Sequence, residues 1–143
     1  LSLSSSKLTS VKGLEKLTKL TELSLYANKL TEVPKGLEKL TQLTKLRLDF
    51  NQLRDVKGLG KLTQLEELWL PDNKLTDVKG LEKLTQLTHL NLQGNQLTDV
   101  KGLEKLTQLT LLWLNDNPDL TKAQIDELQK ALPKCRIISN AKK

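Results

Sequence analysis

His89 and Cys135 are the only histidine and the only cysteine in the chain, and they narrow the available chemistry at once. A zinc site needs at least three nitrogen, sulfur or carboxylate ligands converging on one point. His89 has Glu67 22 positions before it and no second His or Cys. It reads as a surface histidine in an ion pair or contact patch. Nucleophilic catalysis needs a hydroxyl or thiol beside a base that is itself oriented by a third group. Serine and threonine are plentiful, but one imidazole serves them all. No glycine-rich phosphate loop or paired-carboxylate motif stands out. The residues therefore point away from an enzyme and call for no cofactor and no metal. What remains is recognition chemistry. The aromatic residues are Tyr26, Phe50, Trp69 and Trp113. Large aromatics on a rigid surface are the usual anchors of protein contacts.

The element that positions those aromatics is a repeat. Leu62 to Lys83 reads LTQLEELWLPDNKLTDVKGLEK and Leu84 to Lys105 reads LTQLTHLNLQGNQLTDVKGLEK, a period of 22 residues. Pro34 lengthens one repeat to 23. There are six Leu-x-Leu units, beginning at Leu1, Leu23, Leu46, Leu68, Leu90 and Leu112. The last five are followed by Asn28, Asn51, Asn73, Asn95 and Asn117. Around Leu-x-Leu the apolar period is two, as in a short strand with one buried face. Beyond the asparagine it becomes three, through Leu75, Val78, Leu81, Leu84 and Leu87. That period fits a 3₁₀-like or extended return, and Gly80 disfavours an α-helix there. No single repeat can bury its leucines, so stacking must supply one leucine core and one parallel sheet.

The pattern L-x-x-L-x-L-x-x-N-x-L is the leucine-rich-repeat signature. Over residues 1 to 117 the chain resembles leucine-rich-repeat proteins. The segment LTDVKGLEKLTQL resembles the 22-residue bacterial class, the internalin-like proteins in particular. The resemblance implies an α/β solenoid with a concave parallel sheet that binds a protein, and short 3₁₀ structure on the convex side. It implies an extracellular or cell-surface setting slightly ahead of a cytoplasmic one.

Residues 118 to 143 leave the repeat and are expected to form a C-terminal cap. Thr121 and Gln124 are spaced as a capping box. Ile125, Leu128 and Leu132 share one helical face, and Pro133 ends a helix expected over 122 to 132. Cys135-Arg136-Ile137 follows at Leu-x-Leu spacing, giving a half-strand with Cys135 buried as a ladder residue. At the other end Leu1 already holds a strand position, and the chain contains no Met. Leu3, Leu8, Val11 and Leu14 are expected to face open space, so an N-terminal cap or further repeats are expected before Leu1.

Residues flanking the core leucines point out of the concave face because strand side chains alternate. One column runs Glu22, Lys45, Glu67, His89, Leu111 and a second Ser24, Arg47, Trp69, Asn91, Trp113. A third runs Tyr26, Asp49, Pro71, Gln93, Asn115 and a fourth Ala27, Phe50, Asp72, Gly94, Asp116. These columns vary while the rest is nearly copied, and they hold every aromatic and the histidine. The candidate partner-binding residues are therefore Trp69, Trp113, Tyr26, Phe50, Arg47, Asp49, Glu67, His89 and Asn91. Trp69 and Trp113 lie two strands apart, about 10 Å, with Asn91 between them. Two such platforms around an amide keep a glycan open as the alternative to a protein partner.

Charge separates the two sides. The chain carries a formal +6, yet these columns set two cations against five carboxylates, a formal −3. Nucleic acid is repelled from that face. Convex columns of lysine (Lys35, Lys57, Lys79, Lys101; Lys39, Lys61, Lys83, Lys105) alternate with Glu and Asp as a solvated surface. No apolar run is long enough for a membrane helix. The leading expectation is a protein-recognition scaffold. A regulatory or targeting segment of a multidomain enzyme, and an engineered repeat without a natural partner, stay open beside it.

Overall fold

The computed structural model describes residues 1–2 and 13–142. Six three-residue strands form one parallel sheet in chain order: β1 (Glu22–Ser24), β2 (Lys45–Arg47), β3 (Glu67–Trp69), β4 (His89–Asn91), β5 (Leu111–Trp113) and β6 (Arg136–Ile138). Between them run 3₁₀ turns at Leu14–Lys16, Leu37–Lys39, Leu59–Lys61, Leu81–Lys83 and Leu103–Lys105. The change of apolar period from two to three is thus the change from strand to 3₁₀ turn. The middle residue of each strand from β2 to β5, Leu46, Leu68, Leu90 and Leu112, is fully buried. Burying a leucine contributes on the order of 2 kcal/mol, and the repeats stack these contributions into one continuous core.

The asparagines tie neighbouring repeats together. Asn95 Nδ2 donates to the carbonyls of Leu70 and Leu92 at 3.0 Å each, and its Oδ1 accepts from Leu75 N at 3.1 Å. Asn51, Asn73 and Asn117 repeat the arrangement. A primary amide offers two N–H donors and a separate carbonyl acceptor at once to backbone groups that the turn leaves unpaired.

The 3₁₀ turns depend on glycine. Gly80 and Gly102 enter theirs at φ 100° and 105°, in the left-handed region that a side chain resists. Their N–H groups donate to Glu82 and Glu104 two residues on, both at 2.8 Å. Asp77 and Asp99 accept likewise from Lys79 N and Lys101 N. These convex carboxylates cap turns as well as balance lysines. Hydrogen bonds from its own backbone N–H and that of Gly80 hold Glu82 below the usual carboxylate range.

At the C-terminus helix α1 (Lys122–Ala131) follows a complete capping box between Thr121 and Gln124. Leu128 and Leu132 are buried and Ile125 is half-buried against the core. The final strand corrects the sequence reading. Ile137, not Cys135, pairs with Leu112. Cys135 N donates to Leu132 O at 3.1 Å, as Leu109 N does to Leu106 O. Cys135 therefore continues the leucine ladder at the place of Leu109, and one residue is skipped before β6. It is buried, and burial pushes its thiol pKa up.

The other end needs a second correction. Leu14 is only 2% exposed, whereas Leu17 is 43% exposed and Leu1 53%. Leu40, Leu62, Leu84 and Leu106, which repeat Leu17, are fully buried. Leu3, Leu8 and Val11 lie outside the described residues.

Candidate partner-binding face

Strand register builds the concave face column by column. Glu22, Lys45, Glu67, His89 and Leu111 are successive cross-strand partners, and Arg136 extends that column. Ser24, Arg47, Trp69, Asn91 and Trp113 form the next, extended by Ile138. The skipped residue before β6 moves Arg136 from the Trp113 column, where Leu-x-Leu spacing would set it, to the Leu111 column, and brings Ile138 into the place beside Trp113. Counting Arg136, the face carries a formal −2.

Arg47 is the centre of the arrangement. Its Nε and Nη2 donate to the two carboxylate oxygens of Asp49 at 3.3 and 2.6 Å. Its guanidinium lies 5.7 Å from the centre of the Tyr26 ring and 5.1 Å from that of Trp69. The hydrogen bond to Asp49 holds the guanidinium above even its usual high pKa. The Asp49 side chain is 3% exposed while that of Arg47 is 48% exposed. Asp49, a candidate contact by sequence, is therefore the buried brace that aims Arg47.

The aromatics join at both ends of this cation. Tyr26 and Phe50 meet edge to face with centroids 5.5 Å apart. Trp69 and Trp113 have centroids 5.3 Å apart and planes tilted by 36°. Two separate platforms about 10 Å apart are not what forms. Strand spacing fixes the backbones, but Asn91 between them is small and 6% exposed. The indoles lean over it and close apolar surface against each other. The Oδ1 of Asn91 accepts from Gln93 N at 2.9 Å, so the amide supports the turn beneath. Phe50, Tyr26, Arg47, Trp69 and Trp113 thus form one contiguous strip.

Beside the strip, Lys45 bridges Glu22 at 3.5 Å and Glu67 at 3.4 Å. The hydrogen bond to Glu67 and its charge, then Glu22, raise the Lys45 pKa. Glu67 turns to Lys45, while His89 Nδ1 shares a hydrogen bond of 2.9 Å with Thr88 Oγ1. A hollow of about 430 Å³ opens where small Ser2 and Ser24 precede tall Arg47 and Trp69.

The fourth column has a backbone character that sequence did not announce. Ala27, Phe50, Asp72 and Asp116 adopt φ of 56–60°, and Gly94 of 70°. In this conformation the N–H of Ala27, Phe50, Asp72 and Gly94 donates to a carbonyl of the next repeat at 2.9–3.1 Å. Asp116 N uses Asn140 Oδ1 at 3.0 Å instead. Asp and Asn tolerate the left-handed region, whereas a phenylalanine there is strained. Phe50 is also 49% exposed.

Among the described residues no three His, Cys, Asp or Glu side chains gather to hold a metal ion. No helix of the described residues is long and apolar enough to cross a membrane.

Comparison with known proteins places this architecture. Residues 18–61, 41–83, 63–102 and 85–130 each match the family of leucine-rich repeats taken two copies at a time. The chain belongs to the leucine-rich-repeat family. Within it, the repeats are internalin-like. The structure superposes on an internalin, InlF, of Listeria monocytogenes with a TM-score of 0.75 and 27% identity, covering 100% of this chain and 49% of that one. A leucine-rich-repeat protein of Leptospira interrogans gives 0.80 and 35% identity over 87% of this chain and 32% of that one. The functional domain of Listeria internalin J, which includes a cysteine ladder, gives 0.72 and 28% identity over 94% and 29%. The chain thus spans half or less of the length of these relatives. No curated protein matches the sequence.

Proposed function

We propose that this chain is a protein-recognition scaffold whose partner lies on the concave sheet, anchored by the strip from Phe50 to Trp113. The observation that carries the reading is the contiguity of that strip. The chain's aromatics and one braced cation touch in sequence on the face that varies between repeats. Aromatic residues and arginine are enriched at the energetic centres of protein interfaces. A rigid sheet presents them with little further ordering on binding. Membership in a repeat family related to internalins supports a protein partner. The glycan alternative drew on two separate platforms, and the contact between the indoles removes that support. A role as the targeting segment of a larger enzyme is compatible with the same surface, since the surface would still be what recognises.

A test begins with displayed protein fragments selected against the folded chain, whose affinities are then remeasured on variants. Trp69→Ala with Trp113→Ala should weaken the selected partners by about thirtyfold or more. Lys83→Ala with Lys105→Ala, on the convex side, should leave affinity within about twofold. The reverse ranking would move the functional surface to the convex side.

A further inference from the structure

Asp72 and Asp116 lie on the turns that follow the two tryptophan strands, with Gly94 between them in the same column. Gly94 leaves open the space into which the Asp72 carboxylate leans; a Cβ there would collide with Asp72 Oδ1. Asp116 is steadied by neutral amides only: Asn140 Nδ2 at 2.8 Å, and Gln93 Nε2 and Asn115 Nδ2 at 3.4 Å. Asp72 has neither a hydrogen bond from a side chain nor an ion pair among the described residues. The other acids of the face are already answered, Glu22 and Glu67 by Lys45 and Asp49 by Arg47. Nearby, Asn115 Oδ1 is buried with no hydrogen-bond partner. Two carboxylates without a cationic partner among the described residues thus sit on the turns that follow the strands of a joined indole pair. The carboxylates and the indole faces each favour a cation.

We infer that the partner of the concave face is a basic protein segment, whose lysine or arginine side chains seat along Asp72 and Asp116 beside the Trp69–Trp113 pair. The inference rests on the concave reading above and adds the sign of the partner's charge. The distribution of charge supports it. The chain is formally +6 but the face −2, so a basic segment is repelled elsewhere and drawn here. The environment of Asp72 agrees. Partial burial, then the charges of Asp116 and Asp49, raise its pKa, a cost that an incoming cation removes.

The probe is a short extended peptide with lysine and arginine at alternate positions, compared by fluorescence anisotropy with a counterpart carrying glutamate at those places. The chain is used whole. Asp72→Asn with Asp116→Asn is the key variant, because asparagine keeps the left-handed turn and removes only charge. The basic peptide should bind at low salt and weaken as salt rises. It should lose about tenfold with the double asparagine variant and at least as much with Trp69→Ala plus Trp113→Ala. Glu82→Gln with Glu104→Gln, on the convex side, should change nothing. If the acidic peptide binds instead and is lost in the tryptophan variant, the charge assignment falls while the concave face stands. If the basic peptide binds but neither concave variant matters, both fall. Absence of binding by the basic peptide at low salt overturns the inference. So does a doubled mass in sedimentation that the asparagine variant abolishes, which would make the occupant a second copy.

Discussion

The convex and concave sides of this solenoid are built from the same repeats and behave in opposite ways. On the convex side the sequence Lys-Gly-Leu-Glu-Lys recurs with Gly60 as its one departure, in Lys57-Gly-Leu-Gly-Lys61. Its acidic residues are occupied locally, closing Gly80 and Gly102 turns or receiving the N–H of Lys79 and Lys101. On the concave side no column repeats, and the polar groups reach across strands: Lys45 to Glu22 and Glu67, Arg47 to Tyr26 and Trp69. Where geometry dictates the residue, the repeats copy it. On the concave side they differ, even in the left-handed column of Phe50 where geometry favours Gly, Asn or Asp, and there the aromatics collect.

The comparison breaks most sharply at the asparagine ladder, which serves both sides. Asn95→Ala strips partners from Leu75 N and from the carbonyls of Leu70 and Leu92. The expected loss is about 3 kcal/mol of stability, read as a lower denaturant midpoint. A loss below about 1 kcal/mol would mean that water replaces the amide.

Next comes the tryptophan pair. Trp69→Ala with Trp113→Ala should cost about 2 kcal/mol or more in partner affinity while leaving the far-ultraviolet circular dichroism of the sheet intact. Collapse of the fold instead would show that the indoles are core rather than surface.

The strained column allows a finer cut. Ala27→Gly relieves a left-handed alanine and should stabilise by about 1 kcal/mol. Phe50→Gly gains the same relief but forfeits the edge-to-face contact with Tyr26, worth about 0.5–1.5 kcal/mol, so its net change should be near zero. Equal gains for both, by thermal unfolding, would show that the Tyr26–Phe50 contact contributes nothing.

The smallest effect is at Asp72. Its folded pKa lies above the ordinary 3.8, so its stability contribution is whole below that pH and fades as pH rises through the folded value. Asp72→Asn should therefore raise the midpoint slightly at neutral pH, with the gain vanishing below about pH 3.8. A gain that persists at low pH would assign it to something other than charge.

The fold was legible because its determinants are periodic. Leu68 and Leu70 at period two, Leu81, Leu84 and Leu87 at period three, and Asn73 and Asn95 at a fixed offset from those strands each state one geometric requirement. The two columns that lie within the strands followed from alternation alone. What happens above the sheet did not. The tilt of Trp69 onto Trp113 depends on ring reach and on the smallness of Asn91, neither of which spacing encodes. Asp49 read as a contact because an outward position is polar by default; only its bidentate bond to Arg47 explains why it is buried. The left-handed turn at Phe50 was hidden because that column holds residues as unlike as alanine, aspartate and phenylalanine. The register of β6 was misread because a single skipped residue separates Cys135 from the Leu-x-Leu pattern.

The asparagine bonds carry one more consequence. Each amide bonds only its own repeat and the one before it, and the strands pair in chain order. Whole repeats can then be reordered like beads on a rod without rewriting the asparagine joints, although the side-chain contacts above the sheet change with the order. Exchanging the segments 62–83 and 84–105 would carry the Trp69 side chain one strand closer to Trp113 and set Asn91 on the far side. The spacing between indole backbones would shrink from about 10 Å to about 5 Å. The face is a ruler whose marks can be moved singly, and the distance a partner must match is set by the order of its parts.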